Sequence, residues 1–259
     1  GSDTSAVAMA AALKAERCDI YTDVDGIYTT DPRIVPDARK ITEISYEEML
    51  ELASLGAKVL QTRSVEMAMK HGVSLQVLSS FDEFIGSELP GTLVKREDQI
   101  MEDPIVNGVA YSRDEAKITL LDVPDVPGIA AGVFTPLAKA NINVDMIVQN
   151  ISQNGKTTDM TFTVAREDAE RAREVFEKVD FLKGAKIIVD PNVSKISVVG
   201  IGMKSHAGVA QTMFQTLAEK GINILVISTS EIKVSVLVEK DYTELAVRAL
   251  HSAYNLSKS

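Results

Sequence analysis

One pattern occurs twice in this chain, and it limits the fold more than any other feature. Residues 118–150 read ITLLDVPDVPGIAAGVFTPLAKANINVDMIVQN, and residues 196–228 read ISVVGIGMKSHAGVAQTMFQTLAEKGINILVIS. In the first copy a β-rich run, Ile118 to Leu121, leads into the turn Asp125-Val126-Pro127-Gly128. Apolar residues at helical spacing follow (Ile129, Val133, Phe134, Leu137), then a second β-rich run, Ile142 to Val148, ending in Gln149-Asn150. The order is strand, turn, helix, strand. With one shift Gly128 falls on Gly208, Phe134 on Phe214, Leu137-Ala138 on Leu217-Ala218, Ile142-Asn143 on Ile222-Asn223 and Ile147 on Ile227. Unrelated βα units share apolar strands and helices, but they have no reason to share this many positions in one register.

The spacing extends each copy. The first predicts strands at 117–122, 143–151, 157–164 and 185–189 and helices at 128–140 and 167–179. The second predicts strands at 195–200, 223–229 and 231–238 and helices at 206–220 and 241–253, with no sixth element after Leu256. The orphan run Ile105 to Tyr111 is expected to complete the second sheet. Each βαββαβ unit is a ferredoxin-like sandwich with both helices on one sheet face. Such a sheet leaves edge strands with unpaired amides, which proteins cover. The runs Asp145 to Ile151 and Val234 to Val238 are the expected pairing edges of a homodimer.

The first ninety residues read differently, as α/β. A helix former, AVAMAAALKAE, follows Gly1-Ser2-Asp3-Thr4, and Cys18 to Thr22 reads as a buried strand. Ser45-Tyr46-Glu47-Glu48 is a capping box opening a helix. A second helix is expected over 57–70, closed by His71-Gly72, and Leu75 to Ser79 is a strand. The Pro- and charge-rich stretch 91–104 is read as a linker. The domains are thus placed at 1–90, 105–190 and 191–259. The chain opens in what reads as mid-domain and is expected to be a fragment, its first sheet leaving a surface exposed.

A formal net charge of −10 argues against nucleic-acid or anionic-membrane surfaces, which need basic patches. The lone Cys18 allows no internal disulfide and fits a reducing cytoplasm. No apolar run approaches a membrane span.

Three places invite ligands. The acidic, hydroxyl-rich turn from Thr22 to Arg33 follows a strand, where open α/β sheets gather ligands. It lacks the later ligands of an EF-hand loop. It is either a solvated loop or, given Tyr28 and Arg33, a nucleotide-facing one. Ser2, Asp3 and Thr4 are N-cap types at a helix start, an ordinary cap or an anion site. The turn Asp125 to Gly128 offers amides for a carboxylate and an acid for an ammonium, with the amide side chains of Gln149 and Asn150 at a neighbouring strand end. That set suits a zwitterionic amino acid, although a plain βα loop has the same spacing. The second unit's turn, Met203 to Gly208, has no acid, so the two units need not share a ligand.

The tandem units resemble ACT domains, which sense amino acids. GSDT, TDVDGIYTTDPR, GAKVLQTRSVE, VQNIS and VISTSEIKVSVLV together resemble the aspartate kinase family, in its lysine- and threonine-regulated type. The resemblance implies an α/β plus α+β chain: a partial three-layer amino-acid-kinase domain followed by tandem ferredoxin-like ACT domains. It implies phosphorylation of L-aspartate by ATP with Mg2+, with no resident metal in the protein. Thr22, Asp23, Tyr28, Arg33 and Lys58 would line the ATP site; Gly1, Ser2 and Asp3 would lie near substrate. Asp125, Gly128, Gln149, Asn150, Asn223, Ile224, Thr229, Ser230 and Glu231 would hold L-threonine or L-lysine. Its partners would be a second copy, through ACT units, or a regulatory subunit of the kind that begins near Met101. The family's Lys-Phe-Gly-Gly motif is absent, so no catalytic lysine is assigned. A non-catalytic amino-acid sensor is the competing expectation.

Overall fold

The computed structural model describes all residues except 55–58, 83–89, 101–103, 152–155, 184 and 258–259. Residues Lys58 and Met101, both singled out above, lie outside the described residues.

The first layer contains α1 (Ser2–Leu13), β1 (Arg17–Thr22), β2 (Ile27–Tyr28), β3 (Lys40–Ile41), β4 (Glu43–Ser45), α2 (Tyr46–Ser54), α3 (Thr62–His71), β5 (Ser74–Ser79) and β6 (Thr92–Lys95). Its four-stranded sheet has the order β1-β5-β6-β4, with β1 and β5 parallel and Thr22 opposite Ser79. Strands β2 and β3 form a small hairpin beside it. Residues 92–95, read from sequence as linker, are a strand between β5 and β4. The Pro90-Gly91 pair and the charges after it hid a run of only four residues. The first helix also starts earlier than expected. Gly1 is its N-cap, and Ser2 and Asp3 sit inside the first turn, where a carboxylate suits the positive end of the helix dipole. The expected exposure is confined to one side of the sheet: β1 is an edge strand whose Arg17, Asp19, Tyr21 and Thr22 are half-buried, whereas Cys18, Ile20 and Leu75 through Ser79 are buried, and large apolar side chains are exposed at Met9 and Leu13 of α1 and at Phe81.

The capping box forms as expected. The Glu48 amide donates to Ser45 Oγ at 3.2 Å, and the Ser45 amide donates to Glu48 Oε2 at 3.1 Å. Helix α3 closes at Gly72, whose φ of 66° is the left-handed C-cap conformation.

The remaining strands are β7 (Gly108–Pro124), β8 (Val144–Ile151), β9 (Thr157–Ala165), β10 (Lys186–Val199), β11 (Val226–Thr229) and β12 (Lys233–Glu239). The helices between them are α4 (Ile129–Lys139), α5 (Ala169–Phe176), α6 (Gly208–Glu219) and α7 (Thr243–Ala253). The strands make one six-stranded sheet, β11-β12-β10-β7-β9-β8. Two ferredoxin-like halves are fused because β7 and β10 are each long enough to serve both. Residues Gly108 to Ser112 pair with Val199 to Lys195, which gives the second half its fourth strand. Lys117 to Leu121 pair with Asp190 to Lys186 in the first half. Register shifts at Asp190/Val193 and Val193/Lys195 mark the junction, as bulges do where a sheet bends. Each half has its own core, one around Ile118, Leu137 and Phe162, the other around Ile196, Met213 and Leu250.

Strand β12, which holds Val234 to Val238, lies between β10 and β11 and is therefore no edge; the edges are β8 and β11. These two lie against one another, with Met146, Val193, Val226 and Leu237 buried between the halves.

Candidate functional site

Parallel pairing brings the carboxyl ends of β1 and β5 side by side. Thr22 Oγ1 donates to Asp23 Oδ1 at 3.1 Å, and Ser80 gives both its amide (2.7 Å) and its hydroxyl (2.9 Å) to the Thr22 carbonyl. Asp23 is exposed. Further along, the Tyr28 hydroxyl donates to Asp25 Oδ1 at 2.9 Å, and Lys40 Nζ reaches Asp25 Oδ2 at 3.1 Å. Burial pushes the Asp25 carboxyl up, but the hydrogen bonds from Lys40 and Tyr28 outweigh it and leave the group below its ordinary range. Burial and the Asp25 contact raise the Tyr28 phenol. Hydroxyls and an exposed carboxylate at the end of a parallel strand pair fit the sugar side of a nucleotide. Arg33 is placed differently. Its guanidinium lies on Asp31 through Nε (3.0 Å) and Nη2 (2.8 Å), and that contact, first of all, holds the Asp31 carboxyl low. At the helix start, Ser2 Oγ reaches Asp3 Oδ1 at 3.3 Å.

The same turn is fastened to the second ferredoxin-like half. The Val109 amide donates to the Thr29 carbonyl at 2.8 Å, the Tyr111 hydroxyl to Asp31 Oδ2 at 3.0 Å, and Arg248 Nη1 to the Ile34 carbonyl at 3.3 Å. Thr29 is fully buried, and its hydroxyl meets three groups. It donates to the Leu256 carbonyl (3.1 Å) and accepts from the Arg39 amide (3.0 Å), so the third partner, His251 Nε2 at 2.9 Å, must donate. This fixes the imidazole as its Nε2–H tautomer. Burial, ahead of the weaker and opposed effects of Asp37 and Arg39, lowers its pKa. A base whose folded pKa is depressed favours folding above its unfolded value, about 6.5, and that advantage is lost as pH falls toward the folded value. The urea midpoint is therefore expected to fall as pH is lowered from about 6.5. His251→Gln keeps a donor for Thr29 without a titrating ring, and should flatten that part of the profile.

In the first half, Gly128 caps α4 with φ at 91°, and a Cβ there would meet open space. The left-handed backbone, not crowding, is what selects glycine. The Asp125 amide donates to the Lys156 carbonyl at 3.0 Å. Strand β9 lies between β7 and β8, with Thr157 opposite Pro124 and Thr158 opposite Ile151. The turn and the exposed pair Gln149-Asn150 thus flank the start of β9, two strand spacings or roughly 10 Å apart. Thr158 Oγ1 ties that end together by donating to the Asn150 carbonyl at 2.9 Å.

In the second half the expected residues split. Thr229 ends β11, and the Ser230 amide closes the following turn on the Lys233 carbonyl at 2.8 Å, with Glu231 exposed at its tip. Asn223 and Ile224 lie before the other end of β11, roughly 20 Å away at strand rise. One small amino acid cannot span them within this chain.

Sequence reasoning missed an ion cluster at the junction of the halves. Lys195 Nζ lies 3.2 Å from Glu115 Oε1 and 2.7 Å from Asp145 Oδ2, with Lys195 and Glu115 nearly buried. Burial works against the Lys195 charge, but Glu115 and Asp145 overcome it and raise its pKa. A cleft of about 430 Å³ opens elsewhere, between Arg113, Lys240, Asp241, Glu244, Leu245 and Arg248, and none of the expected residues lines it. Among the described residues no cluster of three or more His, Cys, Asp or Glu side chains could hold a metal ion, and no helix is long and apolar enough to cross a membrane.

Comparison with known proteins matches residues 1–79 to the amino acid kinase family, and 117–181 and 196–254 each to an ACT domain. An aspartate kinase of Pseudomonas putida is 57% identical over 99% of this chain, which spans 61% of that relative's length. A crystal structure of aspartokinase alpha and beta subunits is 51% identical, with a TM-score of 0.54, over 58% of this chain and 99% of the matched one. Aspartokinase III of E. coli, in complex with aspartate and ADP, is 30% identical with a TM-score of 0.82, over 98% of this chain and 55% of that one. The same protein was also solved with lysine and aspartate.

Proposed function

We propose, for a chain that belongs to the aspartokinase family, that it supplies the nucleotide side and the amino-acid sensor of an enzyme that phosphorylates the β-carboxylate of L-aspartate. ATP with Mg2+ is the phosphoryl donor in this reading, and the product feeds lysine, threonine and methionine synthesis in the cytoplasm. The observation that carries it is the set of hydrogen bonds by which Thr29, Asp31 and Ile34, in the nucleotide-side turn, are fastened to the second ACT unit. A sensor bonded to that turn can bias its geometry; a separate module could not.

Thr22, Asp23 and Tyr28 would hold the nucleoside, and Lys58 a phosphate. Arg33 grips Asp31 through Nε and Nη2 and could offer its remaining N–H donors to a phosphate, so it would serve as a buttress of the turn as well. Phosphoryl transfer depends on positioning and on stabilised charge. This chain's share of it is orientation of the nucleotide, while Gly1, Ser2 and Asp3 lie near the aspartate. In the first ACT unit, amides near Gly128 would take the carboxylate of L-threonine, Asp125 its ammonium, and Gln149 and Asn150 its side chain. L-lysine needs acids from a second copy at a two-chain seam, where Asn223, Ile224, Thr229, Ser230 and Glu231 would contribute. The homodimer in this reading is built on sheet-to-sheet contact between ACT units.

A purely regulatory subunit is the weaker reading, since the subunit structure above accounts for 58% of the chain and residues 1–79 match the kinase family. Aspartate-dependent ADP formation by the enzyme that carries this chain, inhibited by threonine or lysine, is the test. ADP formation indifferent to aspartate would refute the substrate, and rates untouched by either effector would refute the sensor. Within the sensor, Gln149→Ala is expected to weaken threonine about tenfold, near 1.4 kcal/mol. Unchanged calorimetric affinity would remove Gln149 from the site.

A further inference from the structure

Glu48 does more than cap a helix. Its carboxylate is fully buried and accepts four hydrogen bonds. Oε2 takes the Ser45 amide (3.1 Å) and hydroxyl (2.8 Å), which is the capping box of α2. Oε1 faces away from that helix and takes Asn107 Nδ2 at 2.8 Å and the Ile201 amide at 2.9 Å. These four donors are backbone and side-chain N–H and O–H groups, none from a lysine or arginine, and each is worth more in that dry setting than in water.

The two Oε1 partners come from the second ACT unit. Asn107 leads into β7, and its amide donates to the Val199 carbonyl at 2.8 Å. Ile201 opens the segment between β10 and α6, whose later part, Ser205 to Gly208, is the positional counterpart of Asp125 to Gly128 in the first unit. In the first unit that turn borders open space at Gly128. In the second the counterpart Gly208 borders open space too, but the start of the turn is covered: a Cβ on Gly200 would run into the Ile105 carbonyl. The second unit's turn is therefore closed down at its start, on Glu48, while its helix end stays open as in the first. Beside this joint, Lys233 of β12 meets Glu51, one helical turn after Glu48, at 2.7 Å.

We propose that Glu48 is a positioning residue for the kinase reaction: through Oε1 it holds α2 in register with the β10–α6 turn of the second ACT unit, so that movement of that turn is passed to the nucleotide side. This rests on the function proposed above, but its physical core, the coupling of two segments, can be read without any activity.

Hydrogen–deuterium exchange on the whole chain gives that reading. In Glu48→Ala, residues 105–109 and 200–206 are expected to exchange at least tenfold faster, while α4 of the first unit stays at the wild-type rate. Ser45→Ala weakens the α2 cap but leaves the Oε1 contacts, so α2 should loosen and 200–206 should not. Glu48→Gln keeps one carbonyl oxygen for Asn107 and Ile201 and should fall between wild type and alanine; it also serves if the alanine variant does not fold. In the enzyme that carries this chain, Glu48→Gln should raise KM for ATP about fivefold with kcat within twofold. Unchanged protection of 200–206 in the glutamine and alanine variants overturns the proposal. So does equal loosening of 200–206 in Ser45→Ala, which would reduce Glu48 to a helix cap. If the wild-type enzyme forms no ADP with aspartate, the functional reading falls, and the exchange pattern still decides the role of Glu48.

Discussion

Lys195→Met is expected to destabilise the chain by about 3–5 kcal/mol, because it strips the cation from a nearly buried carboxylate. Lys195 stands where the register of β7 and β10 slips, with its ammonium between Glu115 and Asp145. Asp145 comes from edge strand β8, so one ammonium joins three strands at the junction of the two ACT halves. Glu115 suffers most from its loss, since it is 9% exposed, whereas Asp145 can turn to water. The double variant Lys195→Met/Glu115→Gln removes both buried charges and should recover part of the loss. The pH dependence follows from the two shifts. The raised Lys195 contributes below its unfolded pKa, and that contribution is lost as pH rises through the folded value. Asp145 is held low, because Lys195 and the Met146 amide outweigh its burial; it contributes above its unfolded pKa and loses this as pH falls. The cluster is thus intact throughout the neutral range. Urea unfolding of the two variants measures the cost. A loss below about 1 kcal/mol for Lys195→Met would mean that water already screens the site.

Phe162→Ala should cost a similar amount, about 3–5 kcal/mol, by a different route. Phe162 is fully buried in β9, with its ring centroid 5.2 Å from Phe134 and 6.1 Å from Phe176, edge-on to both. Truncation removes the middle of an aromatic row that joins the sheet to α4 and α5. Neither neighbour can fill the gap without breaking the edge-to-face contact. The first ACT half should therefore lose cooperativity first. Leu120→Ala, in the same core, is expected to resemble it, while exposed Ile147→Ala should have little effect. Equal melting shifts for Phe162→Ala and Ile147→Ala would contradict this view of the core.

The repeat was legible because its signal is hydrophobic period and turn chemistry, which one sequence carries in full. The strands that fuse the halves were not. Ser112-Arg113-Asp114-Glu115 is polar enough to read as the end of one strand before the next. In the fold β7 runs straight through it, because the bulge gives Glu115 a cation eighty residues away. No local pattern announces such a partner. The capping box at Ser45 and Glu48 was visible for the opposite reason, that its members are three residues apart; the outward oxygen of Glu48 was invisible, since Asn107 and Ile201 are distant in sequence. The candidate ligand residues divide in the same way. Asp125 and Gly128 on one side and Gln149 and Asn150 on the other flank the start of β9 because strand order requires it. Asn223 and Ile224 lie apart from Thr229 to Glu231 because a β-strand separates them.

The central claim is that the first ACT unit binds a free amino acid and that the rest of the chain is arranged to report it. Calorimetric titration of this chain with L-threonine, beside L-lysine and L-alanine as a control, addresses it directly. The account predicts saturable threonine binding that Gln149→Ala weakens about tenfold. Absence of saturable heat with both threonine and lysine at millimolar concentration would contradict it.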